Sequence, residues 1–236
     1  MKNVQHSRRN FLRLAAGATL AASTLGLPRM ALAAPFAPDK PATPDAALKE
    51  LLDGNLRYIR GRLRHPDQRP GRIAEVAKGQ HPFAVILGCA DSRVPPEVVF
   101  DQGLGNLFVV RVAGNIASDD VMGSIEYAVE ELNVPLVMVL GHARCGAVTA
   151  TLNAMDQGAT VPAHISSLVE AIKPVAQQVS RDTPDRVDVV VRKNALHAAD
   201  QLRHESEILH EKLSSGTLKI VSARYNLDDG RVELIG

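Results

Sequence analysis

Three short stretches, Phe83–Leu87, Leu107–Val112 and Leu136–Leu140, are almost wholly apolar. Runs of this kind predict buried strands. Around them the apolar positions recur at three- and four-residue intervals instead. Leu48, Leu51, Leu52, Leu56 and Ile59 mark one face of a helix predicted over Ala46–Arg64, with Asp45 as its N-cap. Further helices are predicted at Arg72–Lys78, Val121–Leu132, Pro162–Val179 (interrupted near Pro174) and Val187–Leu213. Two more strands, Leu218–Tyr225 and Arg231–Ile235, flank Asp228-Asp229-Gly230, a hairpin turn signal. The alternation predicts an α/β domain: a central, mainly parallel β-sheet flanked by helices, with an N-terminal helical arm and a C-terminal hairpin. Ligands of such sheets gather at the carboxyl ends of the strands.

The first 45 residues follow a different pattern. Ser7-Arg8-Arg9-Asn10-Phe11-Leu12 is a twin-arginine pattern, followed by an Ala/Gly-rich apolar run from Leu14 to Leu27 and by Ala31-Leu32-Ala33, an A-x-A cleavage signal. Residues 1–33 are therefore expected to be a signal peptide that engages the twin-arginine export machinery and is removed near Ala33/Ala34, leaving the mature chain in the periplasm. The apolar run is shorter than the ~20 residues a membrane span needs, so no stable membrane anchor is expected. Residues 34–44, with Pro35, Pro38, Pro41 and Pro44, read as a linker, and the folded domain is expected over 45–236.

Composition narrows the function classes. With 236 residues the chain is long enough for one domain with a substantial core. A formal net charge of +1 gives no reason to expect a nucleic-acid partner, and 3% aromatics with no Trp argue against a stacking surface. Only two cysteines occur, Cys89 and Cys145, which permit either one disulfide or two thiolate ligands for one metal. Their surroundings favour the second. Cys89-Ala90-Asp91-Ser92-Arg93 follows the first predicted strand, and Gly141-His142-Ala143-Arg144-Cys145-Gly146 follows the third, so two separate segments deliver ligand-type side chains to one rim of the sheet. His142 and Cys145, spaced i, i+3 at the mouth of a helix, fall on one side. Two sulfurs and one imidazole with an open fourth position are a catalytic zinc arrangement, and this donor set selects zinc over magnesium or calcium. A disulfide would leave His142, Asp91 and Arg93 without a role.

Cys-x-Asp-Ser-Arg followed about fifty residues later by His-x-x-Cys-Gly resembles the β-class carbonic anhydrases, and the likeness runs from about Ala46 to the C-terminus. The resemblance implies a zinc-dependent lyase (a carbonate dehydratase) with one Zn2+ per subunit, interconverting CO2 and bicarbonate in a homodimer or homotetramer. It implies Cys89, His142 and Cys145 as metal ligands, with Asp91 either a fourth ligand or, gripped by Arg93, a hydrogen-bond acceptor beside an open position. It also implies a substrate pocket of Gln80, Phe108, Ala113, Tyr127 and Gly146. Ala113 stands where the family often has Val, so the pocket is expected to be slightly roomier. Because the family builds its pocket at a dimer interface, Gln80, Phe108 and Tyr127 are expected to serve the neighbouring subunit's zinc. From the residues alone, core packing is the simpler reading of Phe108 and Tyr127. Zinc in such a site lowers the pKa of water from ~15.7 to roughly 7, which is the chemistry CO2 hydration needs. Hydrolysis of CS2 or COS, and a non-catalytic zinc- or bicarbonate-binding role, stay open as alternatives. A thiol redox role lacks its Cys-x-x-Cys.

Overall fold

The structure is a computed structural model and describes residues 40–158 and 160–236. The expected signal peptide, its cleavage point and residues 34–39 of the linker lie outside the described residues. Helix α1 (Pro44–Ile59) is followed by α2 (Pro70–Val76), strand β1 (Ala84–Gly88), the short α3 (Pro96–Val99) and β2 (Leu107–Arg111). A 3-10 turn at Ala113–Asn115 precedes α4 (Asp119–Glu131), β3 (Leu136–His142), α5 (Gly146–Gln157), α6 (Ile165–Ala176), α7 (Arg186–His204) and α8 (Glu207–Ser214). Strands β4 (Lys219–Tyr225) and β5 (Val232–Ile235) end the chain.

The strands form one sheet in the order β2-β1-β3-β4-β5. β1 to β4 are parallel and β5 returns antiparallel to β4. β1 and β3 are buried along their whole length, as unbroken apolar runs demand. Their alternating side chains fill two cores. Val85, Leu87, Val137 and Val139 face α4, α7 and α8. Ala84, Ile86, Leu136, Met138 and Leu140 face α1 and α3, where Ala47, Leu51 and Phe100 meet them. The N-terminal helix thus docks on its own chain's sheet. Asp101, 2% exposed, secures that docking: it accepts hydrogen bonds from Arg57 Nε at 2.6 Å and from the backbone N–H groups of Arg64 and His65.

Several boundaries differ from the sequence-based expectation, each for a local reason. α1 begins at Pro44, not after Asp45: Thr43 is the N-cap, its Oγ1 accepting the Ala46 N–H at 3.3 Å, and Pro occupies the first turn, where its missing N–H costs nothing. Ordered contacts therefore start ahead of residue 45; Lys40 already donates to the His81 and Gly105 carbonyls. α1 stops at Ile59 because Gly61 turns left-handed at φ 61°. α6 runs unbroken through Pro174, which lies in its last turn. The single helix expected over Val187–Leu213 is two, because Ser206 caps α8: its Oγ accepts the Leu209 N–H at 3.2 Å and donates to Glu126 at 2.6 Å. The hairpin forms as expected, with Gly230 at φ 74°.

The sheet order fixes where a ligand can sit. From β1 the chain steps outward to β2, returns on the far side of β1 to β3, and continues to β4. The direction of winding reverses between β1 and β3, and such a switch point opens a crevice beyond the carboxyl ends of the two strands.

Candidate metal centre

Cys89 leaves β1 at that crevice and His142 is the last residue of β3. The register pairs Gly88 with Leu140, which sets the two ligand-bearing positions side by side. His142 thus lies on the strand, not beyond it, and its i, i+3 partner is not reached along a helix. Arg144 takes a left-handed φ of 53°, turns the chain sharply, and delivers Cys145 as the N-cap residue of α5. Three hydrogen bonds hold this turn to the neighbouring hairpin: the Ala143 N–H donates to the Tyr225 carbonyl at 2.9 Å, and Arg144 donates to both carboxylate oxygens of Asp228.

Ligand atoms of Cys89, His142 and Cys145 all lie within 4.8 Å of one another, and all three residues are buried. His142 shows what the cluster is suited to. Its Nδ1 lies 2.9 Å from the Ala143 carbonyl, which can only accept, so Nδ1 carries the proton and Nε2 presents a bare lone pair. That Nε2 is buried and has no hydrogen-bond partner. A buried lone pair left alone is costly; a cation satisfies it. The two thiols make the same demand. The closeness of the two sulfurs pulls Cys89 well below the ordinary thiol range and, with burial, pushes Cys145 well above it. A divalent ion deprotonates both sulfurs and ends that opposition. Two thiolates and an imidazole fit zinc.

Asp91 stands at the open side. Arg93 holds it through three hydrogen bonds: backbone N–H to Oδ1 at 3.0 Å, Nε to Oδ1 at 2.9 Å and Nη2 to Oδ2 at 2.7 Å. The Arg93 guanidinium keeps this carboxyl well below the usual carboxylate range. Asp91 Oδ2 is also 3.8 Å from His142 Nε2, so the carboxylate borders the ligand cluster while Arg93 holds it.

Of the other expected site residues, Ala113 and Gly146 lie at this rim, and Gly146 opens onto free space. The remaining three do not reach the cluster within the chain. Phe108 pairs with Val85, four residues before Cys89, roughly 13 Å away at the ~3.3 Å rise of a strand. Tyr127 packs beside Phe108, with ring centroids 6.4 Å apart. Gln80 is exposed in the connection before β1, at the opposite end of that strand.

Two supporting residues escaped the sequence reading. Arg111 donates to the Cys89 carbonyl at 2.9 Å and to the Asp91 carbonyl at 2.6 Å, clamping the loop that carries both side chains. The signal was one cation at the end of an apolar strand. Gly114 directs its N–H to Cys89 Sγ at 3.3 Å. It sits at φ 77°, and a Cβ there would come within 2.7 Å of Ile172, so only glycine fits.

Fold and donor set together define an α/β metalloprotein with a thiolate–imidazole centre at its switch point. A family model described as carbonic anhydrase matches residues 84–232. The chain is 46% identical over 191 residues to carbonic anhydrase 2 of Mycobacterium tuberculosis, covering 81% of this chain and 92% of that protein. Against the carbonic anhydrase of Mycolicibacterium smegmatis the identity is 45% over 193 residues, 82% of this chain and 94% of the relative. The solved Coccomyxa β-carbonic anhydrase, in complex with acetazolamide, superposes with a TM-score of 0.64 at 25% identity, covering 80% of this chain and 86% of that one. The chain belongs to the β-carbonic anhydrase family. Its reaction is the family's, the reversible hydration of CO2 to bicarbonate and a proton, with zinc as cofactor.

Proposed function

We propose that Cys89, His142 and Cys145 hold the zinc, that Asp91 and Arg93 act as the catalytic pair, and that the enzyme works in the periplasm as a homodimer or a dimer of dimers. The observation that carries the site assignment is the bare, buried Nε2 of His142 among two cysteine sulfurs, with a carboxylate restrained beside it. Zinc, when bound, supplies a Lewis-acidic centre that makes water a nucleophile near neutral pH. The chain's own residues do the rest. Asp91 is too weak a base to take a proton at neutral pH, because Arg93 stabilises its charge. It accepts a hydrogen bond instead, and so orients the attacking oxygen toward the CO2 carbon. Arg93 keeps Asp91 in that duty and away from the position it would otherwise fill as a fourth ligand. Ala113 and Gly146 leave room at the rim for a small linear substrate. The apolar wall comes from Phe108 and Tyr127 of a second subunit, with Gln80 as that wall's polar contact, because in its own subunit none of the three reaches the cluster.

The twin-arginine pattern at Arg8-Arg9 and the Ala31-Leu32-Ala33 signal support export of a folded, metal-loaded chain, with residues 1–33 removed and 34–44 spacing the domain. Replacing Arg8 and Arg9 by Lys is expected to keep the protein out of the periplasmic fraction; undiminished export would refute the route. For the site, the decisive measurement is zinc content together with CO2 hydration of the purified chain across pH, with CS2 and COS as comparison substrates. One zinc per chain and rapid CO2 turnover at neutral to alkaline pH are expected. Stoichiometric zinc with no hydration at high pH, or turnover of CS2 or COS alone, would overturn the assignment.

A further inference from the structure

We infer that Asn194 is a positioning residue for the metal centre, acting through Gly114 on the Cys89 sulfur. This rests on Cys89 being a zinc ligand. Asn194 lies in the middle of α7, 3% exposed, on a helix face otherwise made of Val190, Val191, Ala195, Ala198 and Leu202. An amide in that company destabilises the fold unless it is bonded. Its Nδ2 donates to the Gly114 carbonyl at 2.7 Å, a contact 80 residues apart in sequence. Gly114 in turn donates its own N–H to Cys89 Sγ at 3.3 Å. The two bonds form a relay from helix to ligand. Gly114 is conformationally free by nature, and its left-handed φ of 77° is one of several states open to it. Asn194 pins the residue from its carbonyl side, so that the N–H keeps its aim at the sulfur.

The consequence is electronic. A thiolate that accepts an N–H bond gives up part of its charge to that bond and donates less to a cation. A centre with two thiolates is less positive than one with three imidazoles, so each such bond restores some of the cation's power to acidify water. Asn194 thereby tunes the zinc without touching it.

The side chain can be changed with little steric penalty. Asn194 borders a cavity of about 320 Å³ between α6, α7 and residues 112–118, so the near-isosteric Asn194→Leu has room. Three properties of the holoenzyme test the inference: zinc affinity by chelator competition, the thiolate-to-metal charge-transfer band after cobalt replaces zinc, and the midpoint of the pH–rate profile. Asn194→Leu is expected to bind zinc about tenfold more weakly because Cys89 is less firmly positioned, and, because its thiolate then donates more charge, to shift the cobalt band to lower energy and to move the midpoint upward. Gln201→Leu borders the same cavity from the same helix and is expected to leave all three unchanged. Where leucine is not accommodated, Asn194→Ala, which only enlarges the cavity, carries the same expectations. In the wild type loaded with an NMR-active cadmium isotope, the Gly114 amide proton is expected to show scalar coupling to the metal. A folded Asn194 variant with an unmoved band and midpoint, or no coupling at Gly114, overturns the inference while leaving the zinc assignment intact. A wild type that takes up neither zinc nor cobalt defeats both.

Discussion

At the carboxyl rim of the sheet named polar bonds hold the loops in place, and His142 Nε2 and Asn115 Nδ2 are the buried polar atoms left without a partner among the described residues there. Asp91 is saturated by Arg93, the carbonyls on either side of Ala90 are clamped by Arg111, and the Ala143 N–H is tied to Tyr225. The flank formed by β2 and α4 is the opposite. Leu107, Phe108, Val109 and Val110 run in sequence along an edge strand and are only partly buried, and Tyr127 beside them is 49% exposed. The one charge on this edge strand, Arg111, is turned to the Cys89 and Asp91 carbonyls, and the apolar face left beside it is one that another chain can cover. The polar half of the site is held within one subunit, and the apolar half, in the function proposed above, is completed by a second.

The largest effect is expected on the rim. Cys89→Ser or Cys145→Ser removes a ligand and should weaken zinc binding well beyond the ~10–100-fold typical of a supporting residue; metal content after dialysis against a chelator measures it. Retention of stoichiometric zinc would break the claim that the rim alone holds the metal. Next, Arg93→Ala frees Asp91, and CO2 hydration at neutral pH should fall by about 100-fold or more with zinc still bound. Near-normal turnover would show that Asp91 needs no restraint. On the flank, Tyr127→Lys places a charge in the proposed interface. It should weaken self-association by about 2 kcal/mol, roughly 30-fold, read by sedimentation, with hydration falling as the assembly dissociates and zinc content unchanged. A fully active monomer would sink the two-subunit pocket.

Smallest for catalysis is Asp101→Asn, a change in neither region. Burial pushes the Asp101 carboxyl up, but Arg57 and the N–H groups of Arg64 and His65 outweigh it and leave it below the ordinary range. A depressed carboxylate stabilises the fold fully above its unfolded pKa of about 3.9, and that contribution is lost as pH falls through the folded value. Asn lacks it throughout. The variant should be about 3 kcal/mol less stable at neutral pH, with the gap from wild type closing below about pH 4, as followed by denaturant titration. Turnover per folded molecule should not change.

Much of the rim was legible because its chemistry is written in short motifs. Cys89-Ala90-Asp91-Ser92-Arg93 and His142-Ala143-Arg144-Cys145 name their ligands, and the flanking apolar runs place them at strand ends. The parallel sheet followed from the same runs. What could not be read is what depends on partners distant in sequence. Ser206 splits a helix because Glu126 and Leu209 meet its hydroxyl, and Asn194 serves Gly114 across the fold. Single polar residues in apolar company carry no motif. The apolar runs also hid a detail of the site: His142 extends β3 because its backbone pairs with Tyr225, a long-range register that composition does not reveal.

The left-handed Arg144 has one more implication. It lies between two ligands and is braced by Asp228 and, through Ala143, by Tyr225, so the bend that spaces His142 from Cys145 is made by the polypeptide itself. Small metal-nucleated modules acquire their shape only when the ion arrives. Here the bonds that brace the bend are the chain's own, so the spacing of the two positions is expected to outlast removal of the ion, as circular dichroism after chelation would show.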